Sequence, residues 1–177
     1  MEDIKEKIDD DKYYFLQKLQ DYIGKELIFF GSIKRCDFMK ENSDIDIAII
    51  SDNIDSTLKK LQLFLNLHNN KIRKIVQKIP NKKGVIYGYK TNYENLCIGL
   101  SLEIILYDEK YRNDIMLHIN KINNIPFYIL FQLIVLKFFY YRLNIISKDF
   151  LKFFKIFLLN KYLQQELDEN LIALKFL

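Results

Sequence analysis

The chain has 177 residues, which is enough for one domain with a substantial core and short for two independent domains. Half of the residues are hydrophobic, and the 5 glycines and 2 prolines are few, a composition typical of a globular, largely helical protein. The formal net charge of +4 is too small to identify a partner by itself.

The cysteines and the N-terminus indicate the expected location. Cys36 and Cys97 show no metal-ligand or redox-motif spacing and predict no disulfide framework. The N-terminal stretch MEDIKEKIDDDKYY lacks the apolar region of a signal peptide. We therefore expect a reduced, intracellular protein of the cytoplasm.

Apolar periodicity predicts alternating helices and strands in the first half of the chain. Leu16, Leu19 and Ile23 have helical spacing, and Gly24 follows where a left-handed C-cap would fall. The expected order is a helix over 10–23, a strand over 26–30, a short helix over 33–40, a strand over 44–50 and a helix over 56–67.

A Gly-Ser turn and two aspartates lie within residues 29–50, FFGSIKRCDFMKENSDIDIAII. In a strand alternate side chains share a face, so Asp44 and Asp46 should project together, about 6.6 Å apart at their backbones. Such carboxylates can bind two Mg²⁺ ions that stabilise the attacking and leaving oxygens of an in-line displacement. Gly31 allows the backbone to approach a polyanion, and Ser32 offers a hydroxyl at a helix N-terminus. The pattern predicts a metal-assisted phosphoryl-transfer site.

The motif Phe30-Gly31-Ser32, followed by Asp44-Ile45-Asp46-Ile47, resembles the signature of the DNA polymerase β-like nucleotidyltransferase superfamily. The form SDID preceded by GSIKR is most similar to the minimal nucleotidyltransferases of that superfamily. The resemblance implies an α+β fold, with a mixed β-sheet flanked by helices. It also implies binding of NTP and magnesium, and transfer of a nucleoside monophosphate with release of pyrophosphate. The alternative is that the turn is an ordinary one and the DxD pair is a solvated strand face.

Residues 71–90, KIRKIVQKIPNKKGVIYGYK, alternate apolar and basic residues around a Pro- and Gly-containing break, which predicts a β-hairpin. No acidic residue lies in this interval, and Tyr87 and Tyr89 are interleaved with the cations. The segment could follow a phosphate backbone and stack on a base, or it could be an edge strand whose lysines discourage aggregation. Its basic residues are Lys71, Arg73, Lys74, Lys78, Lys82, Lys83 and Lys90.

The apolar run over residues 96–107 predicts a strand beside the one that carries Asp44. Glu103 interrupts this run on a face shared with Ser101 and Ile105, and a lone carboxylate among buried neighbours is costly unless it is paired or metal-bound. The superfamily carries a third acid on a later strand, usually Asp, so the resemblance makes Glu103 the third metal ligand. The alternative is an edge residue that faces solvent.

From residue 108 onward we expect helices, over 108–120, 126–143 and 147–176, with Ser147 as an N-cap and a break near Asn160 or Asn170. Residues 125–141 are strongly apolar but shorter than the roughly 20 residues of a membrane span, so we expect a buried core helix and no membrane. Its core-facing side is expected to comprise Phe127, Leu130, Phe131, Ile134, Phe138 and Tyr141.

Lys137 lies in LIVLKFFYYRL, which resembles the helix of template-independent superfamily members in which a lysine reaches the triphosphate. The alternative is that it extends to the surface, as a single lysine on an apolar helix usually does. Together the resemblance assigns catalysis and metal binding to Asp44, Asp46 and Glu103. It assigns nucleotide binding to Gly31, Ser32, Lys34, Arg35, Ser43 and Lys137.

We therefore expect one compact unit, with a nucleotidyltransferase core in residues 1–107 and a helical region in 108–177. The expected activity transfers a nucleoside monophosphate, AMP in the first instance, from ATP to a hydroxyl of RNA or protein, with two Mg²⁺ ions, or Mn²⁺ in their place. The acceptor would be bound by the basic segment 71–90 or by the C-terminal helices. The alternatives are a binding module on the same fold and a small DNA polymerase, and the absence of glycine after Gly99 argues against the polymerase.

Overall fold

The computed structural model describes residues 1–78 and 85–166 of the chain. The described residues form five strands, β1 Ile28–Phe30, β2 Ile45–Ser51, β3 Ile72–Lys78, β4 Val85–Asn95 and β5 Leu100–Asp108. They also form six helices, α1 Glu2–Lys5, α2 Asp10–Ile23, α3 Ile54–Leu65, α4 Arg112–Asn123, α5 Phe127–Tyr141 and α6 Lys148–Glu166.

The strands form one mixed sheet in the order β1-β2-β5-β4-β3. Only the central pair β2 and β5 is parallel, and the other neighbours in the described sheet are antiparallel. In the parallel pair Asp46 lies opposite Glu103, so two predicted site residues are neighbours on one face. The mixed sheet with flanking helices confirms the predicted α+β fold class.

Because alternate side chains of a strand point to opposite sides, helices pack against part of both faces of the sheet. On one face Ile47, Ile104 and Leu106 pack with residues of α2 and α3, including Leu19 and Leu61. On the other face the smaller cluster includes Ala48 and Ile105 of the sheet and Ile115 and Ile119 of α4. This second face also carries Asp46 and Glu103, so the site lies beside the α4 cluster at one end of the strands.

The predicted strands and hairpin are present, but the helix expected over residues 33–40 is wrong. A 3₁₀ turn, Gly31–Lys34, is followed by irregular backbone that turns again where the amide of Ser43 donates to Met39 O at 2.8 Å. The reason is that Arg35 and Asp37 are both buried, bonded to each other and to other elements. An exposed helix could not bury both of these side chains in the same way.

Other helix and strand boundaries differ from the predicted ones at positions where the sequence carries no capping signal. The long apolar run at 96–107 is divided, since β4 continues to Asn95, a turn with Gly99 at φ +59° follows, and β5 begins at Leu100. A 3₁₀ turn, Glu109–Tyr111, precedes α4. Ser147 does cap α6, because its hydroxyl accepts from the Phe150 amide at 3.2 Å. The break expected near Asn160 is wrong because α6 is continuous there, while Asn170 lies outside the described residues.

The predicted buried face of α5 is wrong for three of its six residues, while Leu130, Ile134 and Tyr141 are partly buried. Ile129, Leu133 and Lys137 are the buried residues of this helix, whereas Phe127, Phe131 and Phe138 are exposed. Because α5 is apolar almost all the way round, its periodicity does not indicate which side packs. Within the described part of the chain no single helix is long and apolar enough to cross a membrane. Taken together, α5 and α4 with its preceding turn have the length and apolar composition of a membrane span, but they are bent by 68° relative to each other.

Candidate active site

A cavity of about 150 Å³ lies between the ends of β2 and β5 and the helices α5 and α6. Its lining includes six of the residues predicted from sequence, which come from four separate segments of the chain: Ser32, Ser43, Asp44, Asp46, Glu103 and Lys137. Asn42, Leu133, Leu136, Tyr141, Leu151 and Lys155 complete it. Side chains distant in sequence therefore face one small, polar cavity.

Asp46 is the acid most affected by its surroundings. It lies opposite Glu103 in the parallel pair, and burial raises the pKa of its carboxyl to about 6. The charge of Lys155 opposes this rise in pKa, while those of Glu103 and Asp44 add to it. Asp44 precedes β2 and is exposed, so the two aspartates of the DxD motif differ in environment. A cation or a proton would relieve the repulsion among these acids.

Gly31 makes room for Asp46. Its φ of +73° is in the left-handed region that favours glycine, and a Cβ at this position would overlap the Asp46 carboxylate. The Gly31 amide donates to Asn123 Oδ1 of α4 at 3.0 Å, so it is already bonded within the protein. Ser32, the next residue, is buried and lines the cavity. The Gly-Ser pair thus divides into a glycine required by packing and a serine at the site.

Lys34 and Arg35, predicted to bind the nucleotide, do not line the cavity. Lys34 pairs with Asp3 at the protein surface. Arg35 is buried and donates to Asp37 Oδ1 at 2.8 Å and to the carbonyl of Ile122 at 2.9 Å. The sequence places both cations close to the Gly-Ser turn, but the turn directs them to other partners.

Lys137 is the cation that the fold brings to the cavity. Its ammonium donates to the Asp37 carbonyl at 2.6 Å and to Asp37 Oδ2 at 3.0 Å, and the expectation that it reaches the surface is wrong. We call Arg35, Asp37 and Lys137 the buried clamp. Burial lowers the pKa of Lys137, and Asp37 opposes that change. Burial would raise the pKa of Asp37, but Arg35 and Lys137 hold it below its ordinary value.

Sequence reasoning missed Asp37, Lys155 and Tyr141. Asp37 lies in the spacer between the two halves of the motif, where no pattern distinguishes it from the surface residues expected of a helix. Lys155 is one of several lysines on α6. Tyr141 donates to the carbonyl of Asn42 at 3.0 Å, and burial raises the pKa of its hydroxyl. Only the packing of α5 and α6 against the sheet reveals these three.

The carboxylates fit a divalent cation in chemical type, because magnesium prefers oxygen donors. Asp44 and Asp46 face the cavity together with the hydroxyls of Ser32 and Ser43. Glu103 also lines the cavity, and its carboxylate pairs with Lys90 at 2.6 Å. Among the described residues no three His, Cys, Asp or Glu side chains are grouped closely enough to hold a metal ion. The donor atoms therefore suit magnesium in chemical type, but the three carboxylates are not grouped as a metal site, and Glu103 is paired with a lysine.

The hairpin divides its cations between the two faces of the sheet. Arg73 lies directly opposite Lys90, in the row next to Glu103 and on the same face. Lys74 lies opposite Tyr89, which packs against the α2–α3 core on the other face. Lys82 and Lys83 lie outside the described residues. The basic segment is therefore not one continuous patch in the part of the hairpin that the structure describes.

A larger apolar groove of about 630 Å³ lies between α5 and α6. Aromatic side chains of both helices line it, including Phe131, Phe139, Phe154 and Phe157. It is separate from the carboxylates, and it coincides with the exposed side of α5 that the sequence predicted to be core.

The sequence model described as nucleotidyltransferase domain matches residues 13–123, a span that contains Gly31, Ser32, Asp44, Asp46 and Glu103. No curated protein matches the sequence.

Three of the similar solved structures are the following. A mutant of the Cid1 poly(U) polymerase bound to MgATP is 18% identical, with 79% of this chain and 46% of that chain covered and a TM-score of 0.39. The GLD-2/RNP-8 complex is 16% identical, with 98% of this chain and 67% of that chain covered and a TM-score of 0.40. The STING-associated CdnE c-di-GMP synthase from Capnocytophaga granulosa is 21% identical, with 90% of this chain and 52% of that chain covered and a TM-score of 0.32. The chain thus spans about half of the first of these proteins.

Proposed function

The chain belongs to the nucleotidyltransferase domain family, and from this premise we propose that it transfers a nucleoside monophosphate from an NTP to a hydroxyl of a macromolecular acceptor. ATP is the proposed donor and pyrophosphate the proposed leaving group. The observation that carries the proposal is the cavity itself, which gathers Ser32, Asp44, Asp46, Glu103 and Lys137 at the ends of two parallel strands.

The charges around the cavity suit a triphosphate bound next to carboxylates. An ammonium has three N–H donors, and Lys137 gives one to the carbonyl and one to the carboxylate of Asp37. Its third donor remains for a phosphate oxygen in the cavity. Lys155 lines the cavity from α6, and the Ser32 hydroxyl supplies a further donor at the Gly-Ser turn. These three groups form the proposed triphosphate site.

In the proposed reaction the acceptor oxygen attacks the α-phosphorus and forms a new phosphoester bond. The bond between that phosphorus and the oxygen bridging to the β-phosphate breaks, and pyrophosphate leaves with the electron pair. The hydroxyl proton passes to a carboxylate of the site, for which Glu103 is the proposed acceptor. Lys137 and Lys155 stabilise the negative charge that develops on the leaving group.

Asp44 and Asp46 are the residues that would hold magnesium. When bound, the metal would neutralise phosphate charge and lower the pKa of the attacking hydroxyl. The observation that supports a cation here is that Asp44, Asp46 and Glu103 line one cavity, because a bound cation would relieve the repulsion between neighbouring carboxylates.

The test is incubation of the purified protein with each α-labelled NTP, magnesium, and either total RNA or cell lysate. Labelled product that depends on Asp46 supports transfer, and a preference among the four NTPs tests the assignment of ATP. Binding of ATP without any labelled product in either mixture would leave a nucleotide-binding domain and remove the proposed transferase activity.

A further inference from the structure

Two facing cations lie on the carboxylate side of the sheet. Arg73 of β3 and Lys90 of β4 are directly opposite in the antiparallel pair. Directly opposed like charges destabilise a sheet, typically by several tenths of a kcal/mol relative to neutral pairs. Lys90 is compensated by Glu103. Arg73 is exposed and has no hydrogen-bond or ion-pair partner among the described residues.

The row that holds these cations adjoins the row that holds the acids. In the row of acids, Asp46 lies opposite Glu103, and Glu103 lies opposite the exposed Asn92. The adjacent row crosses the four strands in the order Ala48, Ile105, Lys90 and Arg73. Neighbouring strands lie about 4.8 Å apart, so Arg73 is about 14 Å across the sheet from the strand of Asp46. Since β3 is the last strand in the described sheet order, the row of cations extends to the sheet edge and lies beside the row of carboxylates.

We propose that Lys90 and Arg73 form a track for the phosphate backbone of a single-stranded polynucleotide whose terminal hydroxyl is the acceptor. This inference rests on the proposed function and specifies its acceptor class. Regularly spaced phosphates suit cations at neighbouring positions on adjacent strands, and backbone contacts of this kind carry no base preference. Asn92, beside Glu103, offers an amide near the reacting end.

The pair Lys90–Glu103 links the track to the chemistry. Both side chains are about one third exposed, so the contact can exchange with solvent and ligands. When the acceptor enters, its phosphate takes the place of the Glu103 carboxylate on Lys90. Glu103 is then free to accept the proton of the attacking hydroxyl. A polyanion bound on the track therefore releases the carboxylate that the transfer step needs.

The opposite face of the hairpin provides a matched control. Arg73→Gln and Lys74→Gln remove the same charge from adjacent, exposed positions of one strand, but only Arg73 lies on the carboxylate face. Binding of a fluorescent single-stranded RNA of mixed sequence is measured by anisotropy at several salt concentrations. We expect Arg73→Gln to weaken binding several-fold and to reduce the slope of log K against log salt by about 0.7. Lys74→Gln should resemble wild type, and Arg73→Lys should retain the slope.

Equal losses in Arg73→Gln and Lys74→Gln would overturn the track, because they would indicate a basic surface without direction. Absence of RNA binding by wild type, or unchanged labelling of a lysate protein by Arg73→Gln, would also overturn it, the latter in favour of a protein acceptor. A DNA oligonucleotide of the same sequence separates the two polynucleotides, and binding of either supports the track.

ATP affinity, measured by calorimetry on the same preparations without RNA, separates this inference from the proposed function. If the wild-type protein does not bind ATP, the proposed function fails. If all variants bind ATP equally well and Arg73→Gln does not change RNA binding, the track fails while the proposed function stands.

Discussion

Two lysine–carboxylate pairs flank the same carboxylate site and differ in burial. In the buried clamp the Lys137 and Asp37 side chains are 9% and 1% exposed, whereas those of Lys90 and Glu103 are 34% and 30% exposed. The buried pair has further hydrogen bonds from Arg35 and to the Asp37 carbonyl, so its geometry is held by several partners. The exposed pair has no such support among the described residues. We infer that the first pair positions a cation and that the second exchanges.

The largest effect should follow from removing Asp37. Asp37→Ala leaves two buried cations without their carboxylate, and breaking a buried pair in this way costs about 3–5 kcal/mol. Urea denaturation of wild type and variant measures the change in the free energy of unfolding. Asp52→Ala, which removes an exposed carboxylate paired with Lys25, is the control and should leave the free energy of unfolding close to that of wild type. Similar small losses in both variants would contradict the contrast in burial.

The pH dependence of the free energy of unfolding provides a second test of the buried pair. Because the pKa of Asp37 is lower in the folded protein than its ordinary value, its contribution to stability is present above that value. The contribution is lost as the pH falls through the folded pKa, since protonation removes the pair. We expect Asp37→Asn to show a shallower acid loss of stability than wild type, as measured by urea denaturation between neutral and acidic pH. Parallel curves would show that Asp37 titrates normally.

The next effect concerns the acid between the two pairs. Asp46→Asn keeps the shape of the side chain but removes a charge that the proposed metal and phosphates need. We expect a loss of transfer rate of about 10²-fold or more, with folding retained. The rate of label incorporation and the far-UV circular dichroism spectrum check this together. Full activity in a folded variant would remove the two-metal assignment of Asp44 and Asp46.

A smaller loss is expected for nucleotide affinity when Lys137 is removed. Lys137→Met deletes one charge-assisted hydrogen bond to phosphate, worth about 1.5–3 kcal/mol, or roughly 10- to 150-fold in ATP affinity. Lys40→Met, at an exposed lysine paired with Asp9, is the matched control and should leave affinity unchanged. Calorimetry under conditions where both variants are folded separates binding from stability. ATP affinity that does not differ between them would place the triphosphate away from the clamp.

The smallest effect belongs to the exposed pair. Glu103→Gln breaks the contact with Lys90 and should change the free energy of unfolding by no more than about 1 kcal/mol, with less effect at high salt. Thermal denaturation at low and high salt measures it. A loss as large as that of Asp37→Ala would show that both pairs are structural, and the proposed exchange of Lys90 would then fail.

Local patterns predicted much of the architecture and the acidic part of the site. The mixed sheet, the hairpin, Gly24 as a C-cap and Ser147 as an N-cap are all present. These features depend on alternation, helical spacing and capping, which act over a few residues. The carboxylates Asp44, Asp46 and Glu103 were found because acids inside apolar strand patterns are conspicuous, and their roles remain predictions.

The failures occurred where neighbours distant in sequence decide the outcome. The spacer after the Gly-Ser turn was expected to be helical, yet Arg35 and Asp37 are buried through contacts with α4 and α5. Helix α5 was assigned the wrong buried face, because an apolar residue is compatible with either side of an almost uniformly apolar helix. No periodicity indicates that a lysine will be on the packed side.

The sequence by itself therefore determined the strands, the order of the motif and the acids, because these follow from the local geometry of the backbone. Tertiary structure decided which cations accompany the acids. Lys34 and Arg35 are near the motif in sequence, but they pair with Asp3 and Asp37. Lys137 and Lys155, which reach the cavity, lie on helices more than ninety residues after Asp46 in the chain. The physical reason is that a buried charge must find its partner in space, and only the packing of α5 and α6 against the sheet determines which partners are within reach.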